Sequence, residues 1–219
     1  MSQGMRIIVV IPFFPLFSCM SIEIIHVSYH RPADIRILKP CLIEWFRNPK
    51  DLNFTSPKTK YPFSFNHWVQ AYYQNTDIQT LVLRSEGWIV GHVSILPYPD
   101  KSLGHIFHLF VATSHRNQGN GQKLLVAAED IIKKEGYSFA RLNVSPKNVI
   151  AKRLYELANY SQNGETHSGN VIFKKELTVN GVRIVIAGDV GGQAAVPDEY
   201  AKKVARMFEL FTDPTGTGI

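Results

Sequence analysis

HIFHLFVATSHRNQGNGQKLL, residues 105–125, is the stretch whose reading decides the fold. Residues 105–111 alternate aromatic and branched side chains, the pattern of a β-strand. A short polar turn then runs into Gly119 and Gly121. From there Leu124, Leu125, Ala128, Ile131 and Ile132 trace one face of an amphipathic helix, which Gly136 closes as its left-handed terminator. The first turn of a helix leaves N–H groups unpaired and carries partial positive charge, and glycines let an anion approach without a Cβ in the way. The turn therefore predicts an anion cradle, although two glycines near a helix start also suit a plain tight turn. Its spacing, Arg116-Asn117-Gln118-Gly119-Asn120-Gly121, is neither the dinucleotide fingerprint G-x-G-x-x-G nor the phosphate loop G-x-x-x-x-G-K-[ST].

Upstream, residues 21–28 predict a first strand. Pro32, with φ already set for a first helical turn, opens a helix whose Ile35 and Leu38 face inward. Pro40 should break or kink that helix ahead of Leu42, Trp45 and Phe46, because an interior proline removes a hydrogen bond and clashes with the preceding turn. Residues 48–62 read as polar, proline-punctuated loop. Ser64 reads as the cap of a helix carrying Phe65, Trp68, Val69 and Tyr72. Residues 80–84 and 88–96 predict a hairpin turning at Ser85-Glu86-Gly87, and Pro97, Pro99 and Gly104 enclose the loop into the central strand. Downstream, residues 139–144 are a strand stopped by Pro146. A helix follows from Asn148, and residues 160–162 and 171–177 supply two final strands.

Two motifs carry a family resemblance. Residues 116–121 resemble the R/Q-x-x-G-x-G/A signature of the GCN5-related N-acetyltransferases (GNAT superfamily). Residues 148–160, NVIAKRLYELANY, are similar to that superfamily's N-x-x-A-x-x-L-Y-E-x-x-G-F/Y, with Asn148, Ala151, Leu154, Tyr155, Glu156 and Tyr160 in register. Asn159 stands where glycine is usual, and asparagine is the side chain most tolerant of the left-handed geometry required there.

The resemblance, over residues 20–177, implies an α/β (α+β) fold with a mixed, mostly antiparallel central sheet flanked by helices. It implies acetyl-CoA as co-substrate and a primary amine, on a small molecule or a peptide, as the acceptor that attacks it directly in a ternary complex; no cysteine lies in either motif to suggest an acyl-enzyme. Cofactor contacts would fall on Arg116, Asn117, Gln118, Gly119, Asn120, Gly121 and Gln122 at the pyrophosphate. The main chain of Leu109, Phe110 and Val111, with Asn148, would serve the pantetheine arm. Tyr155 would protonate the departing thiolate, although positions 151, 154, 155 and 158 share a helical face and a core aromatic would suit that stripe too. The base would be His105, which aligns with a frequent glutamate. His108 is expected one pleat face away, and ordered water is a third option. Trp68 and Val69 read as core, and Trp45, Phe54, Tyr61, Tyr72 and Tyr73 as candidates for the acceptor pocket.

The remaining chain sets bounds. At 219 residues and 45% hydrophobic it suits one ordinary domain with extra pieces. The formal charge of +6 is carried by scattered Lys and Arg, which favours anionic ligands over nucleic acid. Cys19 and Cys41 make no disulfide framework, and no Cys/His spacing suits a metal, which predicts a reduced, cytoplasmic protein. Residues 1–19 are an apolar leader, too short to span a membrane, with three readings: translation beginning at Met20, an added edge strand, or an export signal with a lipoprotein-like Leu16-Phe17-Ser18-Cys19. Residues 178–219 predict a C-terminal hairpin/helix extension, with a turn at Val179-Asn180-Gly181-Val182 and a helix opened by Pro197. A role in assembly, including a homodimer, is open for it. The competing functional class is a catalytically inactive CoA-binding regulatory or interaction module.

Overall fold

Alternation along the strands sorts apolar side chains onto two faces of one sheet. The computed structural model describes residues 22–177; the leader, the Met20 start, the Val179-Asn180-Gly181-Val182 hairpin and the Pro197 helix lie outside the described residues. Seven strands form the sheet: β1 (Ile22–Val27), β2 (Gln79–Ser85), β3 (Trp88–Tyr98), β4 (Leu103–Val111), β5 (Phe139–Val144), β6 (Ser161–Glu165) and β7 (Val171–Glu176). Their order is β1-β2-β3-β4-β5-β7-β6, and only β4 and β5 run parallel. The expected mixed, mostly antiparallel sheet is therefore the observed one.

Helices cover both faces. On one side α4 (Asn120–Lys134) and α5 (Val149–Leu157) bury Leu124, Leu125, Ala128, Ile132 and Tyr155 against Leu81, Leu83, Val93 and Ile106. The packing is close: a Cβ on Gly91 would lie 2.8 Å from Leu124 Cδ1, and one on Gly104 would overlap Ile132. Bare glycine backbone on β3 and β4 thus seats α4 on the sheet. On the other side α1 (Pro32–Trp45), α2 (Pro49–Thr55) and α3 (Phe65–Tyr72) bury Leu38, Leu42, Phe46, Leu52 and Trp68 against Val82 and Phe110.

Local expectations hold at most ends. Pro32 occupies the first turn of α1, the Ser64 hydroxyl accepts from His67 N–H at the start of α3, and Glu86-Gly87 takes φ of +51° and +84° in the β2–β3 hairpin. Gly136 follows α4 at φ +80°, and Asn159 follows α5 at φ +64°. Three expectations change. The α1 helix continues through Pro40, whose ring and the Arg36 turn beneath it are both exposed, so water can satisfy the freed carbonyl. Residues 49–55 are helix instead of loop: the Asn48 side chain accepts from Lys50 N–H, and Pro49 supplies the first turn. Pro97 lies within β3 opposite Gly104; the β2 pairing ends at Gln79 opposite Ile95, so beyond it that edge of β3 has no β2 partner and tolerates proline.

Candidate active site

Strand β4 changes parity partway along. Ile106 packs on the α4/α5 face and so does Val111, whereas Phe107 and Phe110 pack on the aromatic face. An even and an odd residue can share a face only if an extra residue has been inserted. The register locates it: Ser94 pairs with Phe107 but His92 pairs with Phe110, two steps on β3 against three on β4. The inserted turn is a β-bulge centred on His108, whose φ is +50°. The bulge overturns the expected separation of the two histidines. His105 stacks on Phe107 with rings 5.9 Å apart, and His108 lies against both Phe107 and Trp68, so both belong to the aromatic face.

At the same place the sheet opens. β4 pairs with β5 only over Leu103, Gly104 and His105, while β5 continues beside β7 as far as Val144. Residues 109–111 therefore run on without a β5 partner. Ala112 N–H donates to Val90 C=O, so by alternation Phe110 directs its main chain to β3 and Val111 directs its own toward the β5 side. The Val111 carbonyl already accepts from Arg116 Nε–H at 2.9 Å.

The glycine turn sits at the end of that edge. Asn117 and Gly119 both adopt left-handed backbone, φ +60° and +74°. The first turn of α4 holds no acidic residue, and no described side chain caps it; the first helical bond runs from Lys123 N–H to Gly119 C=O. The N–H groups of Asn120, Gly121 and Gln122 are thus left to an outside acceptor. A Cβ on Gly119 would meet nothing within 4 Å, so the approach is open. Three side chains brace the loop: the buried Asn120 donates from Nδ2 to His115 C=O, the exposed Gln118 from Nε2 to Ser114 C=O, and Arg116 pairs with Asp51 of α2 at 3.1 Å across the Phe110 ring. These three fix the loop, and its backbone is what faces out.

Of the remaining candidates, Asn148 caps α5, its Oδ1 accepting from Ala151 N–H. Tyr155 is buried in the aliphatic core beside Tyr160 and Phe173, and its hydroxyl bonds to no described residue. Burial pushes its pKa up to about 12. His105 Nδ1 lies 3.2 Å from the Arg141 carbonyl, which can only accept, so Nδ1 carries the proton and Nε2 the lone pair. Burial, then the nearby Arg141 charge, pushes its pKa down to about 4. Among the aromatic residues expected at an acceptor pocket, Tyr73 is instead buried core, bonded to His108 and Ser94. Trp45 packs on Phe110, Tyr72 on His108 and Trp68, Phe54 is half-buried under Lys50, and Tyr61 is exposed. Sequence reasoning missed Asp51, for which the Asn48-Pro49 cap was an available signal, and His92, for which no motif existed. Among the described residues no cluster of three or more His, Cys, Asp or Glu could hold a metal, and no helix is long and apolar enough to cross a membrane.

A mixed sheet that parts beside an uncapped helix N-terminus defines an α/β architecture suited to binding an anion, and comparison narrows it. The sequence model of the Acetyltransferase (GNAT) family matches residues 41–160. The chain belongs to that family. Mouse "Probable N-acetyltransferase family 8 member 5" is 32% identical over 104 residues, 46% of each chain, and human "N-acetyltransferase 8" is 32% identical over 89 residues, 39% of each. The chain thus spans less than half the length of the curated relatives it matches. Among solved structures, the PaiA N-acetyltransferase of Thermoplasma acidophilum in complex with coenzyme A covers 72% of this chain and 100% of its own, with TM-score 0.55 and 22% identity. A domain from Methanocaldococcus jannaschii covers 72% and 99%, with TM-score 0.59 and 16% identity. These likenesses establish the fold.

Proposed function

We propose that this chain is an acetyl-CoA-dependent N-acetyltransferase that passes the acetyl group to a primary amine by direct attack in a ternary complex, in the cytoplasm. The observation that carries the proposal is the open, uncapped start of α4 set beside the unpaired end of β4. The backbone N–H groups of residues 120–122 bind the pyrophosphate, with Arg116, Asn117, Gln118 and Gly119 shaping the loop. Main-chain groups of Leu109 and Val111 receive the pantetheine arm, and Asn148, its Oδ1 used as a cap, has its amide N–H left to offer. An N–H at the bulge serves the developing oxyanion.

His105 Nε2 is the proton acceptor. With a pKa near 4 it stays neutral at working pH, and it takes a proton only as the amine nitrogen becomes acidic on forming its bond to the acyl carbon. Tyr155, which burial keeps protonated at rest, gives its proton to the departing thiolate and recovers one from solvent, while His105 releases the amine's proton to solvent. The burial of Tyr155 in the aliphatic core, beside Tyr160 and Phe173, favours one rival, a CoA-binding module without turnover. Thiol release from acetyl-CoA, measured across a panel of amines, separates the two. Tyr155→Phe keeps the ring and removes the hydroxyl, so kcat should fall by at least about tenfold while melting temperature and acetyl-CoA affinity hold. Wild-type turnover in that variant would remove Tyr155 from the chemistry, and no turnover in the wild type with any amine would favour the rival.

A further inference from the structure

His92 lies on β3, outside both signatures, and is fully buried. Its Nδ1 lies 3.0 Å from the carbonyl of His108, the residue at the centre of the bulge. A carbonyl only accepts, so Nδ1 carries the proton and His92 donates; Nε2 then accepts from the Tyr29 hydroxyl at 2.9 Å. The Tyr29 ring stacks on Tyr73 at 3.8 Å, and Tyr73 bonds the His108 ring at Nδ1, so the bulge residue is held by its carbonyl and by its side chain. Burial keeps both imidazoles neutral, so neither bond is exchanged for a charge near neutral pH.

A residue with a Cβ persists at positive φ only where its surroundings over-determine it. In a trans peptide the N–H points opposite to the C=O. Holding the His108 carbonyl toward His92 therefore turns the Leu109 N–H away from it, on the part of β4 that runs beyond its last β5 pair at His105. We propose that His92 is a positioning residue for acyl transfer: its Nδ1–H clamps the His108 carbonyl, fixes the left-handed bulge, and so aims the Leu109 N–H and the unpaired β4 edge at the acyl group. The catalytic half of this rests on the acetyl-CoA reading above; the clamp itself does not.

The test uses two readouts on the full chain. Backbone coupling and Cα/Cβ shifts of His108, by NMR without ligand, report its φ, and calorimetry reports acetyl-CoA binding. His92→Leu removes the donor, whereas His92→Asn keeps an N–H near the Nδ1 position. In His92→Leu the left-handed signature of His108 should vanish and acetyl-CoA affinity fall by at least about tenfold, while His92→Asn should keep the signature and stay within about threefold. A left-handed His108 in His92→Leu overturns the clamp, as does His92→Asn behaving like leucine. If His92→Leu does not fold, His92→Met decides: it too lacks the N–H, and a left-handed His108 signal there also overturns the proposal. A bulge that responds as expected in a protein that binds no acetyl-CoA keeps the clamp and removes the cofactor reading instead.

Discussion

The two faces of the sheet are built on different principles. Toward α4 and α5, aliphatic side chains at helical and strand spacing interlock, with bare glycine backbone at Gly91 and Gly104 receiving the helix. Toward α1–α3, aromatic rings pack around a neutral hydrogen-bonded chain that links Thr80, Ser94, Tyr73 and His108, with His92 and Tyr29 beside it. The first face depends on period, which a local stretch of sequence displays. The second depends on partners 14 to 63 residues apart, which no local stretch displays. The bulge that opens the site lies where the two faces meet on β4.

The comparison breaks most readily at Trp68. If the aromatic face is core, as its complete burial indicates, Trp68→Ala should lower unfolding stability by about 3–5 kcal/mol in denaturant titration. A loss below about 1 kcal/mol would mean that this face is a tolerant binding surface instead.

A smaller effect sharpens the contrast in charge. Burial holds His92 and His105 near pKa 4 and likewise holds His108 well below the value of about 6.5 expected in the unfolded chain. The folded state therefore binds fewer protons than the unfolded state between those values. Stability from these groups is complete above pH 6.5 and declines as pH falls toward 4. Melting temperature recorded across that window should drop on acidification, and the His92→Asn variant should drop less steeply. A flat profile would show that these imidazoles titrate normally.

The smallest expected effect lies on the periodic face, at Asn159. Its left-handed φ of +64° suits glycine better, so Asn159→Gly should change stability by no more than about 1 kcal/mol, and upward. A clear loss would show that the side chain, and not only the turn, matters at the end of α5.

What was legible follows the same division. The strand–glycine turn–helix unit, the β2–β3 hairpin, α5 and its Asn159 terminator are local patterns, and each is found where the sequence places it. The α2 helix was hidden by its prolines and polar residues, although Asn48-Pro49 is a cap followed by a first-turn proline. Continuous α1 was hidden because the cost of Pro40 depends on whether the opposing carbonyl reaches water, a tertiary fact. The placement of His108 departs from strict alternation because alternation assumes an unbroken strand, and a bulge changes every facing beyond it. Tyr73, a candidate for the acceptor pocket by the family resemblance, is committed to the buried chain beneath the bulge.

The central claim is that the backbone at the start of α4 holds the cofactor's phosphates. Titrating acetyl-CoA into the wild-type chain, Gly119→Ala and Gly119→Glu by calorimetry tests it directly. Both variants carry the strain of a Cβ at φ +74°, but only glutamate puts a negative charge at the uncapped N–H groups. The account predicts tight wild-type binding, a modest loss in Gly119→Ala, and a loss of at least about a hundredfold in Gly119→Glu. Wild-type affinity in Gly119→Glu would contradict it.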